Sequence, residues 1–388
     1  MIVGPNREQQ ELVAAVGRVV DAFDAAYWRE KDAGAIFPHE FAAAMAEGGW
    51  LGIAMPEDLG GAGLGVTEAA LMMERVARSP GAMAAASSIH INIFGLHPVV
   101  VFGTPDQRRR FLPPLIAGRE RACFGVTEPD SGLDTGRLKT RAERDGDVYR
   151  ITGRKIWTST AQEADRVLII ARTSPMDVGK KPTDGLTLFY APLDRRRVDV
   201  RKIDKMGRHA VDSNMLFIDG LEVPVEDRIG EEGEGFRCLL HGLNPERILI
   251  AAEAVGVGRQ ALAAATDYAR ERVVFDRPIG QNQAIQHPLA ECWMALEAAW
   301  LMVLKAANLY DAGEPCGAEA NSAKYLAGEA AFHACERAVM TLGGMGYAAE
   351  YDVERYFREV LITRIAPVSP ELIKCFIAER VLGLPRSY

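Results

Sequence analysis

The hydrophobic period of this chain changes twice, and that restricts its fold more than any single motif does. Up to about Gly118, stretches such as EQQELVAAVGRVVDAFDAAYW and HEFAAAMAEGGW repeat apolar residues at helical spacing, separated by Gly/Pro clusters such as MPEDLGGAGLG. From Arg119 to about Gly230 the period drops to two. LKTRAERDGDVYRITGRKIWTST alternates around Asp145-Gly146, a hairpin signal. RVLIIART, GLTLFYAPL and SNMLFIDGLEVP are short β-branched or aromatic runs bounded by turn residues. From Glu231 onward the helical period returns in three long stretches, and a fourth helix starts after Pro370. The expected fold is mainly α with a central β domain. A helical domain covers 1–118, a β-barrel or sandwich 119–230, and a four-helix bundle 231–388.

Composition excludes several function classes. A chain of 388 residues has room for two or three domains, and 48% hydrophobic with 25% charged residues is ordinary for a globular protein. The net charge of -8 argues against a nucleic-acid surface, and the runs Arg108–Arg110 and Arg195–Arg197 read as solvated faces. The six cysteines form no CxxC pair and sit near no histidine cluster, so buried reduced thiols are expected and a metal site is not. MIVGPNREQQ lacks the features of a signal or transit peptide, and no stretch is expected to span a membrane, AVGVGRQALAAA being interrupted by Arg259. The expected compartment is cytoplasmic.

Four motifs stand in a distinctive order: CFGVTEPDSGLD (Cys123 to Asp134), GRKIWTSTAQEAD (Gly153 to Asp165), RERVVFDRPIGQNQAIQHPLAE (Arg270 to Glu291) and LGGMGYAAEYDVERYFRE (Leu342 to Glu359). With the helix–sheet–helix order, they make the chain resemble the acyl-CoA dehydrogenase family over nearly its whole length. The resemblance implies FAD between the β domain and the bundle, in a homotetramer or homodimer. It implies α,β-dehydrogenation of an acyl-CoA or related acyl thioester in fatty acid or amino acid catabolism, with electrons passed to an electron-transferring flavoprotein. The flavin would take the hydride, and the protein would supply position, electrostatics and a base.

By that resemblance, Trp157 offers a surface to the flavin ring, Val126, Thr127 and Ser159 serve its polar edge, and Phe124 lies alongside. Arg272 pairs with the pyrophosphate. Phe275 and Gln283 help a neighbouring subunit hold the nucleotide half. Gly343 and Gly344 permit close backbone approach, and Ser369 stands near the flavin phosphates. Each has a plainer local reading: a core aromatic, a solvated arginine, a helix C-cap.

Removing an α-proton needs a carboxylate of raised pKa. Most of the family carries this Glu in a C-terminal loop, which here reads Ala366-Pro367-Val368-Ser369, so Pro367 occupies the base position. A branch resembling isovaleryl-CoA dehydrogenase places the base on the first bundle helix. There this chain has Asn244-Pro245-Glu246-Arg247, which implies Glu246 as base and Arg247 near the substrate. Local sequence alone reads the same stretch as a helix start, with Asn244 as N-cap and Pro245 at the first position. Glu371 is the rival base. Leu133 stands where a Ser near the thioester is common, Met340 where a Gln is common near the adenine end, and Ala366 leaves room for a bulky acyl group. Pro367 also lacks the backbone N–H that would bind the substrate carbonyl. A flavin monooxygenase or oxidase, and a silent flavin or thioester binder, are the competing functions on the same fold.

Overall fold

The structure is a computed structural model that describes residues 4–176 and 181–387. Its N-terminal part is helical, from Arg7–Val20 to Pro105–Ile116. Local chemistry sets the helix starts. Asn6 accepts the Gln9 N–H and Gln9 reaches back to the Asn6 N–H, and Thr104 and Gln107 repeat this exchange. The helices Val66–Ala77 and Ala82–Phe94 are buried almost throughout.

The alternating segment forms one eight-stranded sheet. Asp145 and Val148 close the expected hairpin, with Gly146 at a φ of 61°. Strand Arg166–Arg172 holds five consecutive buried residues because both its faces are covered. Leu168 and Ile170 pack with Phe111, Leu115 and Leu239 from helices on one side. Val167, Ile169 and Ala171 pack with Tyr149, Ile151, Leu216 and Val223 from other strands on the other.

The C-terminal part contains helices Leu243–Glu271, Gln283–Asp311 and Gly317–Leu342. The fourth, Pro370–Arg380, has only 11 residues, and the shorter helices Val353–Val360 and Ile362–Ile365 precede it. The bundle is therefore three long helices closed by shorter pieces. Its first helix packs closely on Val66–Ala77, where a Cβ on Gly256 would meet the Glu74 carbonyl oxygen at 2.4 Å. This contact joins the two helical regions into one core.

Contrary to expectation, two segments, Ala82–Phe102 and Gly235–Glu271, are long and apolar enough to cross a membrane by length and composition. Both are mostly buried inside the fold, and their apolar residues make its central core. All six cysteines are free, and Cys375 alone among them is not buried.

Candidate active site

Glu246 does not sit at a capped helix start. Helix Gly235–His241 runs into Leu243–Glu271 through Gly242, whose backbone is itself helical. Asn244 is therefore inside the helix rather than its N-cap, and its Oδ1 accepts a hydrogen bond from Arg247 Nη1 at 3.0 Å. The capping reading fails because the preceding segment is helical, which local propensity did not reveal.

Glu246 lines a cavity walled by Ile91, Phe94, Phe124, Leu239 and Leu243, with His90 as the other ionisable group. Glu246 is partly exposed as a residue, while protein surrounds its carboxyl. Burial pushes its pKa up. His90 and Arg247 pull it down, Glu253 adds to the rise, and the net direction is upward. A carboxyl in this setting has the raised proton affinity that a general base needs. Arg247 is partly buried one residue on, and burial lowers its pKa.

Behind Glu246, His90 Nδ1 lies 2.5 Å from Glu253 Oε1. His90 is 7% exposed and Glu253 fully buried. Neither was singled out from sequence. The available signal was Glu253 itself, a lone charge within the apolar run ILIAAEAVGVG, seven residues after Glu246.

Next to the cavity is a ledge built from two strands. Phe124 lies on Ala122–Gly125, and Val126 and Thr127 follow it, all three partly exposed. The Thr127 carbonyl accepts the Ile156 N–H at 2.9 Å, which brings strand Val148–Ser159 alongside. A register shift between Lys155 and Thr158 contains Trp157, at a φ of 61° and 56% exposed. Bulges re-aim side chains, and this indole is turned out of the core, not packed into it. Ser159 lies two residues on and is partly exposed. Beneath the ledge, the fully buried Lys155 donates to Glu128 Oε1 at 2.9 Å and to the Val126 carbonyl at 3.0 Å. Burial, only partly offset by Glu128, lowers the Lys155 pKa to about 8. An uncovered aromatic surface beside partly exposed backbone and hydroxyl groups fits a flat heteroaromatic ring such as that of a flavin.

The other expected nucleotide contacts lie elsewhere. Arg272 ends the first bundle helix, 26 residues beyond Glu246, a helical rise of roughly 39 Å. It is exposed, as is Gln283 at the start of the next helix. Between them, Phe275 is 93% exposed at a φ of 53°. Gly343 and Gly344 are exposed, with nothing within 4 Å of an added Cβ; only Gly343 has a positive φ, 61°. Leu133 and Met340 are exposed.

Ala366, Pro367 and Ser369 are partly buried, and the Ala366–Pro367 bond is cis. Ser369 caps helix Pro370–Arg380, its hydroxyl oxygen accepting the Leu372 N–H at 3.3 Å. Glu371 is exposed, and hydrogen bonds from its own backbone and from Ser369 lower its pKa. The loop is fixed by a residue that sequence reading missed. Lys324, 1% exposed, donates to the Val368 carbonyl at 2.6 Å and the Arg364 carbonyl at 3.2 Å. Burial lowers its pKa to about 8. The site therefore brings together Glu246, Arg247, Phe124 and the Trp157 ledge, but leaves Arg272, Phe275 and Gln283 beyond the far end of the first bundle helix.

The family models for the N-terminal, middle and C-terminal domains of acyl-CoA dehydrogenase match residues 6–119, 123–221 and 233–382. The chain is 37% identical to the acyl-CoA dehydrogenase FadE12 of Mycobacterium tuberculosis, over 99% of this chain and 98% of that one. Among solved structures, butyryl-CoA dehydrogenase from Megasphaera elsdenii superposes with a TM-score of 0.93 at 30% identity, covering 98% of this chain and 100% of the other. The prolyl acyl carrier protein oxidase AnaB superposes with a TM-score of 0.91 at 27% identity, covering 98% and 100%.

Proposed function

Since the chain belongs to the acyl-CoA dehydrogenase family and is an oxidoreductase of that kind, we propose that Glu246 is the base of an FAD-dependent α,β-dehydrogenation of an acyl thioester. The observation that carries this reading is the position of Glu246 in an apolar cavity that Phe124, at the edge of the Trp157 ledge, helps to wall. FAD, when bound, accepts the hydride that leaves the β-carbon. Trp157 would cover the ring, Thr127 and Ser159 would serve its polar edge, and Val126 would supply backbone beside them.

Glu246 takes the α-proton. Apolar walls keep water from the carboxyl and from the developing negative charge, which strengthens every electrostatic contact inside. Arg247 supports that charge from the same helix. Glu371 is a poor base by contrast: it is exposed and its carboxylate is stabilised. Pro367 cannot donate to the thioester carbonyl. The Val368 N–H, next along the loop, makes no hydrogen bond to protein among the described residues and takes over that role.

Arg272 would pair with the pyrophosphate, and Phe275 and Gln283 would help hold the nucleotide half of a cofactor bound by another copy in a homodimer or homotetramer. Their distance from Glu246 and the exposure of Phe275 support this. Gly343 and Gly344 would allow close backbone approach to the cofactor, and Ser369 would stand near its phosphates. Leu133 and Ala366 border the acyl group. Acyl-CoA is the substrate, an electron-transferring flavoprotein the acceptor and the cytoplasm the compartment.

Anaerobic titration of the flavin-loaded protein with a panel of acyl thioesters tests the reading. Bleaching of the flavin by a saturated acyl-CoA, lost in Glu246→Gln with flavin retained, is expected. No bleaching by any thioester would leave a silent binder. The likeness to AnaB favours a second reading, an oxidase. Substrate-driven oxygen consumption that outruns reduction of an electron-transferring flavoprotein would select it.

A further inference from the structure

The cavity that Glu246 lines contains a second ionisable group that the proposed proton abstraction does not use. His90 comes from helix Ala82–Phe94, where it is the one ionisable residue, and it lines the same cavity as Glu246. Its Nδ1 is held at 2.5 Å by Glu253 Oε1. Glu253 Oε2 has no hydrogen-bond partner among the described residues. A fully buried carboxyl with one oxygen unsatisfied costs stability, and an apolar pair of the same volume would pack at no such cost.

The geometry of the helix explains what this arrangement can do. Glu246 and Glu253 are seven residues apart, two turns and about 10 Å of rise, so they share a face of the first bundle helix. His90 stands on the neighbouring helix, opposite that face. We infer that His90, anchored by Glu253, is a positioning residue that brings a positive charge to the cavity wall and keeps Glu246 in the carboxylate form that takes the α-proton. The inference rests on Glu246 being the base.

Without that charge, Glu246 would face burial and a second carboxyl on its own helix, both of which favour its neutral form. The charged groups around His90 differ in sign, and the carboxyls prevail. Burial alone lowers the His90 pKa, but Glu253, by charge and hydrogen bond, and Glu246, by charge, raise it overall; Arg208 opposes them. Arg208 is in turn offset by Glu359, Glu253 and Asp212. Around Glu246 the cations are His90 and Arg247, and Glu253 is the anion.

Two measurements on the holoprotein test this. In the first, anaerobic flavin reduction by butyryl-CoA is followed against pH. His90→Gln is expected to move the acidic limb up by about one pH unit, a roughly tenfold slower reaction below it, with the rate recovered at higher pH. A limb that stays in place would overturn the inference, because a merely structural role changes the rate without moving the profile. In the second, histidines are labelled with 15N and His90 is assigned by elimination, each of the other six histidines being replaced in turn. Coupling is reciprocal, so Glu246→Gln must lower the His90 titration midpoint, and Glu253→Gln must lower it further. An unchanged midpoint in Glu246→Gln refutes the coupling, even if His90→Gln fails to fold. The two levels of the argument fail differently. Retained bleaching in Glu246→Gln removes the base assignment and this inference together. Lost bleaching with an unmoved His90 midpoint removes this inference alone.

Discussion

Glu246 and Glu371 carry the same side chain in the first turns of two helices, each close to a proline, yet their surroundings give them opposite chemistry. Glu246 faces an apolar cavity where burial raises its pKa. Glu371 stands in solvent, where backbone and Ser369 hydrogen bonds stabilise the anion. A carboxyl becomes a base through what packs around it, and the loop from Arg364 to Glu371 offers nothing comparable. That loop is instead held as a wall, by Lys324 from the third bundle helix and by the Ser369 cap.

The contrast is easiest to break at the carboxyls themselves. Glu246→Gln is expected to slow anaerobic flavin reduction by about 10²–10⁴-fold, the range of a general base, and Glu371→Gln to leave it nearly unchanged. Stopped-flow absorbance decides; the reverse result would return the base to the loop. Next in size is the support of that loop. Lys324→Met leaves the Val368 and Arg364 carbonyls without their donor and should cost roughly 2–4 kcal/mol in urea unfolding. The wild type should also gain stability as pH rises from about 8 toward 10.5. In that window the unfolded chain holds the proton that the buried Lys324 has released. The gain should shrink in Lys324→Met.

A smaller effect is expected on the ledge. Trp157→Ala should weaken flavin retention about tenfold, about 1.4 kcal/mol, measured as bound flavin after dialysis. Because the indole is exposed, the unfolding midpoint should hardly move. The mildest change is Ser369→Ala, which removes a helix cap at a cost of about 1 kcal/mol in thermal unfolding. A simultaneous loss of flavin would show that Ser369 also touches the cofactor.

The order of elements was legible because period 3.6 and period 2 are local properties. RVLIIART and SNMLFIDGLEVP became strands, as their β-branched and aromatic content between turn residues required. Asn244 was misread because an N-cap depends on the residue before it being non-helical, and Gly242 continues the preceding helix. The length of the apolar stretches was underestimated for a related reason. Ala82–Phe102 and Gly235–Glu271 each hold a long apolar window because neighbouring helices cover most of it.

What the sequence determined by itself was the three-part architecture, the family and the vacancy at Pro367, each carried by residue type and spacing along the chain. Only the tertiary structure decided that Glu246 opens into a cavity shared with Phe124, that His90 and Glu253 meet behind it, and that Lys324 holds the C-terminal loop. Those pairs are 163 and 44 residues apart in the chain. Contacts of that separation leave no periodic trace, because burial and charge pairing depend on which helices pack together.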